Sequence, residues 1–298
     1  MLRIILGLAL LFPLAESGRS ASVQAASLNT VMADLARAIG GERIDVLEVV
    51  HAGMDPHLYE PSPGDWKRIE QADVLLAGGL GFEPYLGRMK TSLANAGVRV
   101  VVGGDVVTPI EGACAGHAEE GHHHHGEMDP HWWHSVSNTR AVVSHVRDAL
   151  IAEDPAGRAV YEANAVALDQ RLEALEKWIR LEVAKVPKAS RVLVTSHDAL
   201  GYLAVENGFD ILPVQGLSKS SQPSSRQVTE LIREIREKNV KAIFAERLEN
   251  PKVLEQITAE SGARPAGVLY ADGLGKGPAS TYEGMMKHNI STIVEALK

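Results

Sequence analysis

The chain has 298 residues, 45% of them apolar, and 38 acidic against 30 basic side chains leave a net charge of −8. That length allows two domains of roughly 150 residues each. The negative balance argues against a nucleic-acid partner and agrees equally with collecting cations and with plain solubility.

Arg3, the apolar stretch Ile4–Leu14 and the small-residue pattern Ala15-Glu16-Ser17 read as a secretory signal peptide over residues 1–17. The apolar run is shorter than the ~20 residues a bilayer core needs, and no later segment is longer or as apolar, so a soluble mature protein is expected. The single cysteine, Cys114, lies far from the leader. It supports neither a lipid-anchored cleavage site nor an intramolecular disulfide, and an exported, unanchored periplasmic protein is the expectation.

After the leader, Val23–Leu28 reads as a strand, and Asn29 or Thr30 caps a helix whose apolar face is Val31, Leu35 and Ile39 before Gly40-Gly41. A strand over Ile44–Val50, a short helix over Trp66–Gln71, a buried strand over Val74–Ala77, a helix over Pro84–Ala96 and a strand over Val98–Val102 follow. From Glu111 to Glu127 the pattern breaks into Gly, Ala, Glu and His, with His117 and the tetrad His122, His123, His124 and His125. This histidine-rich loop (115–127) reads as a flexible surface segment. Helix resumes over Asn138–Ala152, and Asp154-Pro155 restarts a helical stretch to Val186 with Leu168, Leu172, Leu175 and Ile179 on one side. Its 32 residues would span about 48 Å, enough to join two lobes.

The alternation then repeats, with strands over Arg191–Thr195, Ile211–Gln215, Val240–Glu246 and Gly267–Tyr270. Helices are expected over Ala199–Asn207, Ser225–Asn239, Pro251–Ser261 and Thr281–Leu297. The predicted fold class is α/β: two similar lobes, 22–153 and 188–298, each a parallel-type sheet flanked by helices, joined by one long helix over 154–187. Ligands of such open sheets gather beyond the carboxyl ends of the strands.

Three histidines and one aspartate lie in short turns placed after probable strands: Asp55-Pro56-His57, Asp129-Pro130-His131, Thr195-Ser196-His197 and Tyr270-Ala271-Asp272. Successive candidates are 74, 66 and 75 residues apart, too far for a local zinc finger, so they would have to converge through the fold. Taken singly, each histidine is more often a hydrogen-bonded core or surface group.

The run Asp55-Pro56-His57-Leu58-Tyr59-Glu60-Pro61-Ser62-Pro63, with Asp65 two residues on, resembles the first-ligand motif of the metal-binding subunits of zinc and manganese ABC importers. These are solute-binding proteins of the long-helix-hinge class, cluster A-I. Asp129-Pro130-His131-Trp132-Trp133 resembles the second motif, Ser196-His197-Asp198-Ala199-Leu200-Gly201-Tyr202 the third and Asp272-Gly273-Leu274-Gly275 the fourth. The likeness runs from about Ser22 to the end of the chain. It departs where relatives continue the second motif with an aspartate-proline pair, because this chain has His134-Ser135-Val136-Ser137.

The resemblance implies a metal cleft between the lobes, ligated by His57, His131, His197 and Asp272, two from each lobe, with a rigid linking helix that permits little lobe movement. It implies a membrane permease as partner, and a separate ATPase, since the chain has no Walker A motif. A zinc-delivering periplasmic chaperone is a further expected partner, and the protein itself is expected to be a monomer. Manganese-type relatives carry glutamate at the third position, so His197 favours Zn2+ as the substrate. The function expected is high-affinity capture of zinc and delivery to an ABC permease, without catalysis.

Alternatives stay open at several residues. Glu246 holds a ligand imidazole or pairs with Arg247 or Arg191; Asp198 supports the site or stabilises a helix N-terminus. His134 shares a helical face with His131 and supports the site or faces solvent. His51 lines the cleft mouth, and His145 and His288 read as surface positions on helices. The histidine loop captures zinc loosely, with Cys114 as an added thiolate, or is merely solvated. At the level of the whole protein, the alternatives are a manganese-type importer subunit, a periplasmic zinc buffer and a zinc hydrolase. The last lacks a His-Glu-x-x-His helix and a Gly-x-Ser-x-Gly turn.

Overall fold

The computed structural model describes residues 22–112, 127–217, 223–246 and 251–298. The expected leader (1–17), Cys114, Arg247, and His117 and His122 to His125 of the loop lie outside the described residues. Among the described residues, no helix is long and apolar enough to cross a membrane.

Two four-stranded sheets, each parallel throughout, form the frame. The first has strands β1 (Val23–Ser27), β2 (Ile44–Glu48), β3 (Val74–Ala77) and β4 (Arg99–Val102) in the order β2-β1-β3-β4. The second has β5 (Val192–His197), β6 (Asp210–Gln215), β7 (Ala242–Glu246) and β8 (Arg264–Leu269) in the order β6-β5-β7-β8. The two orders are the same when read by chain position, and each sheet has its first strand inside, so the turn after that strand faces a central cleft.

Side-chain alternation on the strands divides the core into layers. Val23 and Ala25 of β1 and Val74 and Leu76 of β3 point to a central cluster, whereas Ala26, Leu75 and Ala77 point outward. In the second sheet Leu193, Ala242 and Phe244 join the same central cluster, and Val194 and Ile243 face an outer one. A single apolar core therefore runs through both lobes. Its middle is made by helices α1 (Thr30–Gly40), α4 (Val136–Glu153), α5 (Arg158–Val183) and α9 (Tyr282–Leu297). Helices α2 (Pro63–Ile69) and α3 (Leu86–Ala96) follow β2 and β3 in the first lobe. In the second, α6 (Gly201–Asn207), α7 (Ser225–Glu237) and α8 (Pro251–Ser261) follow β5, β6 and β7.

Local sequence explains the helix boundaries and corrects several expected ones. Asn29 Oδ1 accepts the Val31 and Met32 N–H groups at 2.9 and 3.1 Å, starting α1, and buried Val31, Leu35 and Ile39 form its inward stripe. A reciprocal Ser62–Asp65 capping box with Pro63 at the first position begins α2 three residues before the expected Trp66. Ser135 caps α4 through Asn138 N–H, so that helix begins at Val136 instead of Asn138. The long helix is shorter than the pattern suggested: Asp154 caps a separate turn, Pro155–Gly157, and α5 has 26 residues, about 39 Å. It is also not the sole bridge, because α9 packs along α5 and touches both α1 and β8. Strand β8 starts at Arg264, ahead of the expected Gly267, with a register shift opposite Ile243/Phe244.

Candidate metal centre

Three loops and the end of strand β5 bring His57, His131, Asp272 and His197 together, each offering one ligating atom, and these atoms lie within 4.8 Å of one another. Asp272 Oδ1 is 3.3 Å from His57 Nε2, 3.4 Å from His131 Nε2 and 2.9 Å from His197 Nε2; the Nε2 atoms of His57 and His131 are 3.3 Å apart. The edge of a tetrahedron built on zinc–ligand bonds of 2.0–2.1 Å is about 3.3 Å, so most of these separations already match one four-coordinate ion. His131 and His197 are fully buried, and the side chains of His57 and Asp272 are 6% exposed.

Each ligand is placed by a different local device. His197 ends the inner strand β5, where Glu246, at the end of neighbouring β7, accepts its backbone N–H at 3.1 Å and lies 2.5 Å from its Nδ1. That contact leaves Nε2 to face Asp272, which is the role a carboxylate plays behind a metal-binding imidazole. Arg191, the expected competitor for Glu246, instead donates to the carbonyls of Val183, Val186 and Asn207.

His131 does not follow a strand, contrary to expectation. It precedes a single turn, Trp132–His134, that leads into α4. Asp129 Oδ1 accepts its backbone N–H at 2.9 Å and its Nδ1 at 2.7 Å, so one carboxylate oxygen fixes both the turn and the ring. Asp55 accepts the His57 backbone N–H at 3.0 Å in the same two-residue turn, but among the described residues nothing hydrogen-bonds His57 Nδ1. Phe82 packs edge-on against His57, His131 and Trp133, with ring centres 4.8, 5.8 and 4.9 Å away.

Phe82 itself stands on an unusual turn after β3, in which Gly79, Leu80 and Gly81 all have positive φ. The buried Glu83 carboxylate accepts the Gly78 and Gly79 N–H groups at 2.7 and 3.0 Å and closes that turn. Burial pushes the Glu83 carboxyl up to about 7 against those two donors.

The electrostatics follow from burial and pairing. Burial opposes charge on both His131 and His197, yet the carboxylates outweigh it: Asp129 and Asp272 raise His131, and Glu246 and Asp272 raise His197 well above the usual imidazole range. His57 is lowered by burial despite Asp272. Burial alone would raise Asp272, but the charge on His197 and the three imidazole contacts hold it well below the usual carboxylate range.

The remaining candidates are distributed as follows. His134 is buried and does not join the ligand cluster; its Nε2 bonds the Ala271 carbonyl oxygen at 2.9 Å, and burial lowers its ring to about 4, so it stays neutral and donates. Asp198 is buried directly after His197, three residues ahead of α6, and its N–H donates to the Gln215 and Gly216 carbonyls. His51 is exposed and lines the narrow cleft that opens beside Asp272. His145 is half-buried on α4; His288 bonds the Val268 carbonyl at 2.9 Å and meets the Tyr270 ring edge-on, so it is not a free surface group. The flanks of the histidine segment are pinned together by Gly112 N–H to the Glu127 carbonyl at 3.0 Å.

Asp129, Phe82, Glu83 and the Trp133 indole on Ala271 were not singled out from sequence, whereas His134 was, without its partner. The repeated Asp-Pro-His tripeptide at 55–57 and 129–131 was a usable signal for Asp129, and Gly78-Gly79-Leu80-Gly81 after a strand was one for the Phe82 turn.

A family model described as ZnuA, zinc-uptake complex component A, periplasmic, matches residues 26–296. The chain is 36% identical to the manganese-binding lipoprotein MntA of Bacillus subtilis, covering 95% of this chain and 93% of that protein. It is 32% identical to the zinc-binding protein TroA of Treponema pallidum, over 90% of this chain and 86% of the relative. The solved structure of periplasmic TroA superposes with a TM-score of 0.84 at 28% identity, covering 93% of this chain and 99% of that one.

Proposed function

The chain belongs to the family of periplasmic A components of zinc-uptake complexes, and from this premise we propose that it captures Zn2+ outside the cytoplasmic membrane and hands it to an ABC permease driven by a separate ATPase. The observation that carries the reading is the convergence of three imidazole nitrogens and one carboxylate oxygen within 4.8 Å, in a buried cluster. His57 and His131 come from the first lobe, and His197, at the end of β5, and Asp272, in a loop after β8, from the second. The family is one of transport components rather than of enzymes, and a cleft whose four ligands fill a tetrahedral shell leaves no position for a reactive water.

Zinc is preferred to manganese on the donor set. Three imidazoles and one carboxylate suit zinc, whereas manganese favours more oxygen donors and higher coordination. A manganese substrate is the second reading, because relatives of comparable identity are named manganese-binding. We assign residues 1–17 to an export leader and the histidine-rich loop 115–127 to loose capture of zinc ahead of the cleft. A chelator-competition titration with zinc and manganese, on the mature protein and on a variant lacking the loop, tests the assignment. One tight zinc site that survives loop deletion and resists manganese is the expected result. Manganese binding of equal strength would transfer the assignment to the second reading, and loss of tight binding with the loop would leave a histidine-tract buffer.

A further inference from the structure

Asp272 is drawn from the second lobe by sequence, yet the backbone around it is held from the first. The peptide that precedes it ends in the Ala271 carbonyl, which receives two donors from the turn before α4: Trp133 Nε1 at 2.8 Å and His134 Nε2 at 2.9 Å. Both rings are buried, and together they use both lone pairs of that oxygen. On the other side, Leu274 N–H donates to Thr30 Oγ1 at the start of α1, at 2.8 Å. Between them Gly273 has φ +153°, and a β-carbon there would lie 2.4 Å from Thr30 Oγ1. A few residues later Tyr282 N–H donates to Asp34 of α1, and the Tyr282 hydroxyl donates to the Trp133 carbonyl, each at 2.8 Å. The segment from Ala271 to Tyr282 is thus fastened to the first lobe at three places.

His197 is part of β5, and its backbone and ring are held by Glu246 of the same sheet, while the helix that follows it reaches the first lobe through the Tyr202 hydroxyl, which donates to the Asp129 carbonyl at 3.0 Å. We infer that His134, acting with Trp133 as a clamp on the Ala271 carbonyl, is a positioning residue that keeps Asp272 with His57 and His131. This inference rests on the metal-site reading above. Its consequence is that His134, which touches no ligating atom, controls how fast metal leaves without altering what coordinates it.

Zinc release into excess chelator, followed by stopped flow, reads the rate, and the absorption bands of Co2+ in the same site read the ligand set. In His134→Leu, which keeps the volume and removes the donor, zinc should leave about tenfold faster, the size expected for one lost hydrogen bond to a buried carbonyl. The tetrahedral cobalt bands should be unchanged, and His134→Gln, which restores a donor, should recover most of the slow release. An unchanged rate in His134→Leu, or a Gln variant as fast as the Leu variant, would overturn the clamp. Trp133→Phe removes the other donor to the same oxygen and gives the same test should His134→Leu not fold. Failure of the metal-site reading is separately visible: wild-type cobalt bands that persist in His197→Ala would mean that the four residues are not the ligands, and the clamp would fall with them.

Discussion

His57 and His197 meet at one oxygen of Asp272 but are held in opposite ways. His197 closes an inner strand of a four-stranded sheet, is fully buried, and has a carboxylate on both its backbone N–H and its Nδ1. His57 lies in the long connection from the edge strand β2 to α2, with an Asx turn at its backbone and the Phe82 ring edge-on against its imidazole, and among the described residues no hydrogen bond reaches its Nδ1. The difference separates two tasks. A ring braced from behind sets the geometry and the proton balance of the site, while a ring held by packing can adjust to an arriving ion at little cost. The opposite pKa directions of the two, His197 raised by Glu246 and Asp272 against burial and His57 lowered by burial, have the same origin.

The comparison is broken most directly by ligand removal. His197→Ala should weaken zinc binding by more than about a hundredfold and by more than His57→Ala does, as measured by chelator competition; equal losses would mean that the bracing of His197 has no energetic weight. Glu246→Gln and Asp129→Asn should each cost about ten- to a hundredfold in affinity with all four ligands retained, and replacing Asp55, which reaches only backbone, should cost less. Proton linkage sharpens the contrast further. His131 and His197 hold protons more tightly than free imidazole, so zinc must displace them, and affinity should fall as pH drops, beginning above the ordinary histidine value. Calorimetry in buffers of different ionisation heat should show protons released on binding near neutral pH, fewer in Glu246→Gln.

The last contrast is one of stability rather than affinity and concerns the turn under Phe82. Glu83 is raised from 4.5 to about 7 by burial, so between those values the folded state binds more protons than the unfolded one, and stability falls as pH rises through that window. Glu83→Gln should flatten this slope, worth up to about 3 kcal/mol across the window, in denaturant titrations at several pH values.

Much of this was legible in the sequence because it is local. The continuous apolar run Val74–Ala77, the Asn29 cap and the Ser62–Asp65 box specify elements through neighbours within a few residues, and four short motifs were enough to nominate the ligands. What was not legible is the matter of which distant atom faces which. Nothing near Ala271 announces that its carbonyl meets rings 137 and 138 residues away, and Glu246 could be divided between His197 and Arg191 only once β5 and β7 were seen side by side. The shortened α5 has a similar cause: helical periodicity continued through Pro155–Gly157, but the Asp154 side chain accepts the Gly157 N–H and closes a separate turn there.

The unbroken central core has a bearing on how the chain unfolds. Its inner face is completed by α9, residues Tyr282–Leu297, which lies against α1 near the other end of the described chain and against the long α5. Helices α1, α4 and α5 pack on one another, and α9 closes the remaining side of α5 together with β8 of the second sheet, so the two lobes share one apolar interior. Because that interior is continuous, neither lobe has a boundary along which it could melt by itself, and thermal unfolding should appear as one transition and not two.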